Sequence, residues 1–366
     1  MKGKASAKAH AGFSNLLIRV PNWLGDMVMA TPLVSAVKEI FPKSKLSILT
    51  KDAFISFWKG FPGVHQVIPL GGKGLDAFFS KVSEIKKHHF DAALIMPTSF
   101  SSAFLPFTAG IPTRIGWGAE GRDFLLTQVV PRPHYRKVHL VWEFLDLARR
   151  GFGKTLPSNT ARLSSSRSAE VEREAWKLFA KEKIQTKRGL IALVPGAAYG
   201  PTRRWPLPYW IELIKRLLKE RKESFLILGG KEEEAYLGEL QHAFPGESKG
   251  RIHSLVGRTS VPVLAAVLAK CRVLVSNDTG PMHLAAAVGT PSVVLYASTS
   301  ALWTQPFGSE LIYHKVNCSP CFQRTCPIGY LCLHKITVEE VFQAALRNLK
   351  KPRKITAIKA PMGILR

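Results

Sequence analysis

The residues best placed to do chemistry lie in the run VLVSNDTGPMHLAAAVGTPSVVLYA, at positions 273–297. Asp278 and His283 flank Thr279, Gly280 and Pro281, which together read as the entrance to a helix. Proline is at home in a first turn that needs no amide donor, and the small residues after it suit packing on a sheet. A helix start offers unpaired backbone amides and about half a positive charge, a seat for phosphate. Asp278 would accept hydroxyls there and His283 would supply a partly polar wall, which fits a nucleotide sugar better than a bare anion. A plainer reading also holds, with Asp278 as a helix cap and His283 as a satisfied core histidine. Elsewhere Gly25 and Asp26 stand at the entrance of another helix, and Arg203 and Arg204 lie in the loop AAYGPTRRWP. Cys318, Cys321, Cys326 and Cys332 form C-x2-C-x4-C-x5-C, a spacing that can hold zinc or an iron–sulfur cluster, although structural zinc sites more often pair two CxxC motifs. Cys271 reads as a small packing residue.

These groups must be positioned by alternating strands and helices. Residues 273–276 and 292–297 are short apolar strands joined by a helix, with Gly289 ending it, so the unit is a parallel βαβ. Upstream, strands are expected at 15–20, 45–49, 67–70 and 92–96, with helices at 28–40 (Pro32 in its first turns or at a kink) and 78–87. The segment 99–135 is rich in Gly, Pro, Ser and aromatics and carries Arg114, Arg122, Arg132 and Arg136; it reads as a long binding loop. Helices follow at 140–149 and 170–183, around a connection at 151–168. The second half has strands at 189–196, 225–230 and 252–255 and helices at 208–220, 261–270 and 338–349. No GxGxxG follows the first strand, so the usual dinucleotide fingerprint is absent while a parallel sheet remains the expected architecture.

The 366 residues suffice for two domains with real cores. The boundaries expected are a basic tail at 1–14, a first domain at 15–183, a second at 184–336 containing the cysteine loop 318–332, a helix at 337–350 and a basic tail at 351–366. No apolar run approaches the length of a membrane span, and the start MKGKASAKAH leads only into the short LLIRV, so a cytoplasmic protein is expected. With 52 Lys and Arg against 26 Asp and Glu, the net charge of +26 asks for an acidic partner: nucleic acid, an anionic membrane or a phosphorylated substrate. Lys2, Lys4, Lys8, Lys350, Lys351, Arg353, Lys354, Lys359 and Arg366 make both ends basic, in the manner of solvated extensions. No aromatic and basic recognition motif accompanies the charge, which argues against nucleic acid.

Three segments, IRVPNWLGDMVMATPLV, VPGAAYGPTRRWP and SNDTGPMHLAAAVGTPSVVLY, together resemble the heptosyltransferases of lipopolysaccharide synthesis, most closely the heptosyltransferase II branch. The resemblance covers most of residues 15–350. It implies an α/β GT-B fold of two Rossmann-like domains facing each other across a cleft. It implies an inverting, metal-independent transfer of L-glycero-D-manno-heptose from ADP-heptose onto a Kdo-lipid A or heptosylated inner-core acceptor. By position, Asp26 is the base for the acceptor hydroxyl, a role that suits a carboxylate kept ionised at a helix entrance; an ordinary helix cap is its plainer role. Arg203 falls where the family usually carries lysine and would stabilise the leaving diphosphate. The donor would meet Tyr199, Thr202, Asp278, Thr279, Gly280 and His283, with one of the glutamates after Gly230, Glu232 foremost, at the ribose and Gly257 and Thr259 bordering adenine. Arg114, Arg122, Lys137 and the basic tails are the expected acceptor and membrane contacts. The chain is then expected to act as a monomer at the inner face of the inner membrane and to bind no nucleic acid. Heptosyltransferase I or III, or an epimerase of the same architecture, is the alternative.

Overall fold

The protein is described from a computed structural model over residues 12–72, 74–158, 160–165, 168–244 and 250–361. Lys2, Lys4, Lys8, Arg366 and part of the expected connection at 151–168 lie outside these. The described residues form two compact units, one up to residue 161 together with 358–361, the other over 162–357.

In the first unit the apolar runs build a six-stranded parallel sheet of β1 (Asn15–Arg19), β2 (Lys45–Thr50), β3 (Gln66–Pro69), β4 (Ala92–Ile95), β5 (Thr113–Trp117) and β6 (Gln128–Val130), in the order 3-2-1-4-5-6. Ile18 pairs with Ile48 on one side and Leu94 on the other, and all three are buried, as a sheet covered on both faces requires. The helix expected at 28–40 is two helices, Leu24–Met29 and Thr31–Ile40. Pro32 sits in the first turn of the second, where its missing donor costs nothing, and Thr31 Oγ1 donates to the Val28 carbonyl at 2.7 Å across the break. The segment 99–135 is not a long loop: it holds the helix Phe100–Thr108 as well as β5 and β6.

The second unit repeats the plan with β8 (Leu190–Val194), β9 (Ser224–Ile227), β10 (Ile252–Ser254), β11 (Val273–Asn277), β12 (Ser292–Tyr296) and β13 (Glu310–Tyr313), ordered 10-9-8-11-12-13. The central βαβ is as expected, with the helix Gly280–Val288 between β11 and β12 and Gly289 left-handed at its end. Its core gathers Trp205, Trp210, Leu213, Phe225, Val275 and Phe342. The helix Ala169–Lys181 belongs here and not to the first domain: it buries Ala175 and Phe179, and Lys270 pairs with Glu172 at 2.6 Å while lying over the Trp176 ring. The boundary therefore falls near residue 161, about twenty residues before the expected 183.

The helix Val338–Leu349, opened by a capping box of Thr337 and Glu340, packs on the second unit through Val341, Phe342, Ala344 and Ala345. The basic stretch after it is no solvated tail up to residue 359. Lys351 reaches Glu310, Arg353 donates to the Cys271 carbonyl at 2.8 Å, and the Lys354 amide donates to Gly289 O. β14 (Ala357–Lys359) then pairs with β7 (Thr160–Arg162).

Candidate functional site

In a sheet ordered 3-2-1-4-5-6 the crossovers leave the first and fourth strands on opposite sides, so a crevice opens at their carboxyl ends. In the second unit that switch point lies between β8 and β11, and the sequence places its polar residues there. Asn277, the last residue of β11, is fully buried; its Nδ2 donates to Pro195 O at 2.5 Å and its Oδ1 accepts from the Trp205 amide at 3.2 Å. Trp205 Nε1 in turn donates to Ile336 O at 2.9 Å. These bonds fix both ends of the loop that carries Tyr199, Thr202 and Arg203.

Arg203 extends from that loop to Asp278. Its Nη1 lies 3.4 Å from Asp278 Oδ2, and its guanidinium stacks over the Tyr199 ring at 4.1 Å. Its buried Nε has no hydrogen-bond partner among the described residues. Asp278, 3% exposed at its side chain, also accepts from Thr299 Oγ1, so it is held by side chains and does not cap the helix. Thr279 is the N-cap residue, Gly280 the first helical residue, and His283 is buried one turn on. The unpaired amides of this turn follow directly in the chain on Asp278, the residue that Arg203 contacts. The hydroxyls of Tyr199 and Thr202 are engaged with another loop: Tyr199 Oη donates to Phe322 O at 2.6 Å and Thr202 Oγ1 to Gln323 O at 2.5 Å.

A second carboxylate stands beyond β9. The expected residue, Glu232, is exposed, whereas Glu233 is 6% exposed and its Oε2 accepts from the Gly230 amide at 3.0 Å. Its Oε1 is buried with no partner among the described residues. A β-carbon at Gly196 would come within 2.1 Å of that oxygen, so glycine is required for the carboxylate to lie against the loop after β8. Burial raises the Glu233 pKa above its ordinary 4.5, against the opposing pull of the Gly230 amide and Arg204. Arg204 spends its guanidinium on Ala197 O, at 3.2 Å and 3.3 Å, and lies over the Tyr236 ring. Gly257 and Thr259 follow β10 on the same edge, the Gly257 amide donating to Gly229 O.

In the first unit the corresponding switch point lies between β1 and β4. Asp26 is half-buried in the first turn of the helix Leu24–Met29. The loop between β1 and this helix is held by Arg19, whose buried guanidinium donates to the Val20 and Leu49 carbonyls and, at 2.6 Å, to Asn22 Oδ1. Burial brings the Arg19 pKa down to about 10. Arg122 does not fit its expected place as an acceptor contact. It is fully buried, bonded to Pro97 O, Ser99 O, Ser102 Oγ and Trp117 O, and serves to tie the loops after β4 and β5. Arg114 likewise donates to the Leu125 and Ile111 carbonyls and lies over the Phe107 ring. Lys137 is exposed.

Residues 79–331 match the glycosyltransferase family 9 (heptosyltransferase) profile. The chain belongs to glycosyltransferase family 9. It is 30% identical over 308 residues to lipooligosaccharide heptosyltransferase 2 of Haemophilus ducreyi, covering 81% of this chain and 87% of that one. It is also 30% identical over 313 residues to lipopolysaccharide heptosyltransferase 2 of Escherichia coli, covering 82% and 90%. Among solved structures, the E. coli ADP-heptose lps heptosyltransferase II superposes with a TM-score of 0.75 at 24% identity, over 92% of this chain and 98% of that one. The α/β GT-B expectation holds, with two parallel six-stranded Rossmann-like sheets.

Within this family 9 chain, Arg19, Asn277 and Thr299 are polar residues to which the sequence assigned no site role, and of the glutamates after Gly230 it is Glu233, not the favoured Glu232, that is buried. Each is fixed by a partner distant in the chain or, for Glu233, by which of three adjacent glutamates turns inward. As the described side chains stand, no three of His, Cys, Asp and Glu gather around one point at ligating distances.

Proposed function

We propose that this chain transfers a heptose from ADP-heptose to an inner-core lipopolysaccharide acceptor, a reading supported by relatives named lipopolysaccharide heptosyltransferase 2 and ADP-heptose lps heptosyltransferase II. The observation that carries the reading is the pairing of Arg203 with Asp278 at the β8/β11 switch point. A cation with an unused buried Nε, a helix entrance and a carboxylate meet there, the groups needed for a diphosphate and a sugar hydroxyl. In the proposed reaction the acceptor oxygen attacks the anomeric carbon and the bond to the ADP oxygen breaks with inversion. Asp26 takes the acceptor proton and Arg203 with the amides at Thr279 and Gly280 receives the charge left on ADP. Asp278 holds a heptose hydroxyl. Tyr199, Thr202 and His283 shape the donor loop and helix, and a glutamate beyond Gly230 takes the ribose, with the buried Glu233 favoured over the exposed Glu232.

The acceptor's lipid gives the +26 charge its partner, and no helix among the described residues is long and apolar enough to cross a membrane. On the strength of that charge and a lipid acceptor, our reading is a peripheral protein at the inner face of the inner membrane. The first unit has a surface suited to this: Phe79, Phe100, Phe104, Phe107 and Phe124 are between 38% and 69% exposed, with Phe100 against both Phe104 and Phe124. Aromatics of this kind enter an interface while nearby cations meet anionic headgroups.

The test is product formation from ADP-heptose with defined acceptors bearing no heptose, one heptose or two. Extension of the one-heptose acceptor is expected. Preference for the bare Kdo-lipid A acceptor would make it a type I enzyme, for the two-heptose acceptor a type III enzyme, and epimerised nucleotide sugar without transfer would reject the transferase.

A further inference from the structure

Between the end of β13 and the short helix Leu331–His334, residues 314–330 contain no helix or strand, and none of them is fully buried. A seventeen-residue excursion of this kind in a compact unit has no core to hold its shape. Yet the loop is used as a fixed support. It offers its Phe322 and Gln323 carbonyls to Tyr199 and Thr202, and the Arg324 carbonyl passes so close to Gly200 that a β-carbon there would lie 2.7 Å away.

The four clustered cysteines, all free thiols, line a single cavity under this loop together with Thr202, Ser298 and Tyr330. The cavity is small, with room for about one water molecule. The Tyr330 amide already donates to Cys326 Sγ at 3.3 Å.

We propose that Cys318, Cys321, Cys326 and Cys332 bind one thiophilic divalent ion of zinc's class, and that this ion braces the loop which supports Tyr199 and Thr202. Four soft sulfurs and no water ligand make a closed, structural site. Drawing the thiols together, with loss of their protons to solvent, is what the chain must supply: Cys318, Cys321 and Cys326 lie in residues 314–330, which hold no helix or strand, and Cys332 lies in the short helix that follows. The loop is then stitched at both ends by one centre, and its carbonyls hold the segment from which Arg203 reaches Asp278.

The test uses the full chain, stripped with chelator under reductant and titrated with cobalt(II) as the probe. One cobalt per chain is expected, with the thiolate charge-transfer and visible bands of a tetrahedral tetrathiolate, displaced by zinc. Cys318→Ser and Cys332→Ser should each weaken cobalt binding about tenfold or more, at least what an outer-shell change costs. Cys271→Ser should leave it unchanged, and far-UV circular dichroism checks that each variant is folded. Binding below one ion per chain, an iron-cluster spectrum in the anaerobically isolated protein, disulfides among these thiols, or cobalt affinity indifferent to both serine variants would overturn the site. The bracing role rests on the proposed donor site, and is read separately as a weakening of ADP binding by about tenfold on metal removal. Unchanged ADP affinity would overturn the brace and leave the metal site standing. Failure of ADP to bind either form would overturn the donor site instead.

Discussion

Replacing Arg203 by alanine removes the cation that faces Asp278 and leaves a carboxylate only 3% exposed at its side chain. Breaking a fully buried ion pair from one side costs about 3–5 kcal/mol. Here Arg203 is 21% exposed and Thr299 continues to donate to the carboxylate, so the loss should be smaller, about 1–3 kcal/mol. Asp278→Asn should cost a similar amount by stranding the guanidinium. Because the two side chains act on each other, the double variant should be less destabilised than the sum of the singles, with a coupling of about 1–2 kcal/mol. Urea unfolding of the four proteins without ligand measures this directly. ADP titration on the same set should show Arg203→Ala weakening affinity about tenfold to a hundredfold, the range for losing a charge-assisted bond. Additive destabilisation within about 0.5 kcal/mol, together with unchanged ADP affinity, would refute the claim that this pair is the anion-receiving element.

Burial holds the Glu233 carboxyl above 4.5 in the folded state, so the stability of its protonated form is complete below about pH 4.5 and is lost as pH rises through the folded value. Glu233→Gln, neutral throughout, should therefore unfold at higher urea than the parent at pH 8, with the difference closing towards pH 4. Asp26→Asn should keep ADP affinity while lowering turnover about a hundredfold or more; unchanged turnover would remove Asp26 as the base. Burial pushes the Cys271 thiol up to about 12, so in metal-free native protein a thiol reagent should find the other four cysteines, and Cys271 only after unfolding. A fast fifth thiol in the native protein would contradict its burial.

The central βαβ was legible because each of its signals is local. A β-branched run, a Gly-Pro helix entrance, small residues for close packing and a terminal glycine all fall within residues 273–297, and the structure follows them. β5, β6 and β13 were missed because they are three to five residues long and carry Arg114, Gly116, Gln128 or Glu310, so neither alternation nor an apolar run marks them. The helix Ala169–Lys181 has a clear apolar stripe, but which unit takes it depends on Lys270 and Trp176, ninety-four residues apart in the chain. The same limit governs Arg122. A guanidinium in a loop rich in Gly and Pro reads as a solvated charge until four carbonyl and hydroxyl oxygens from residues 97–117 are seen around it. Asp278 was legible as a site residue, while Thr299, which holds it, lies beyond the next strand and gave no signal.

The most direct test of the account is a structure of the chain with ADP-heptose bound. The account predicts the diphosphate against the amides at Thr279 and Gly280, within hydrogen-bonding distance of Arg203, with the ribose towards Glu233 and the heptose hydroxyls at Asp278. Density for the nucleotide anywhere other than the β8/β11 switch point, or with Arg203 still closed on Asp278 and touching no phosphate, would contradict it.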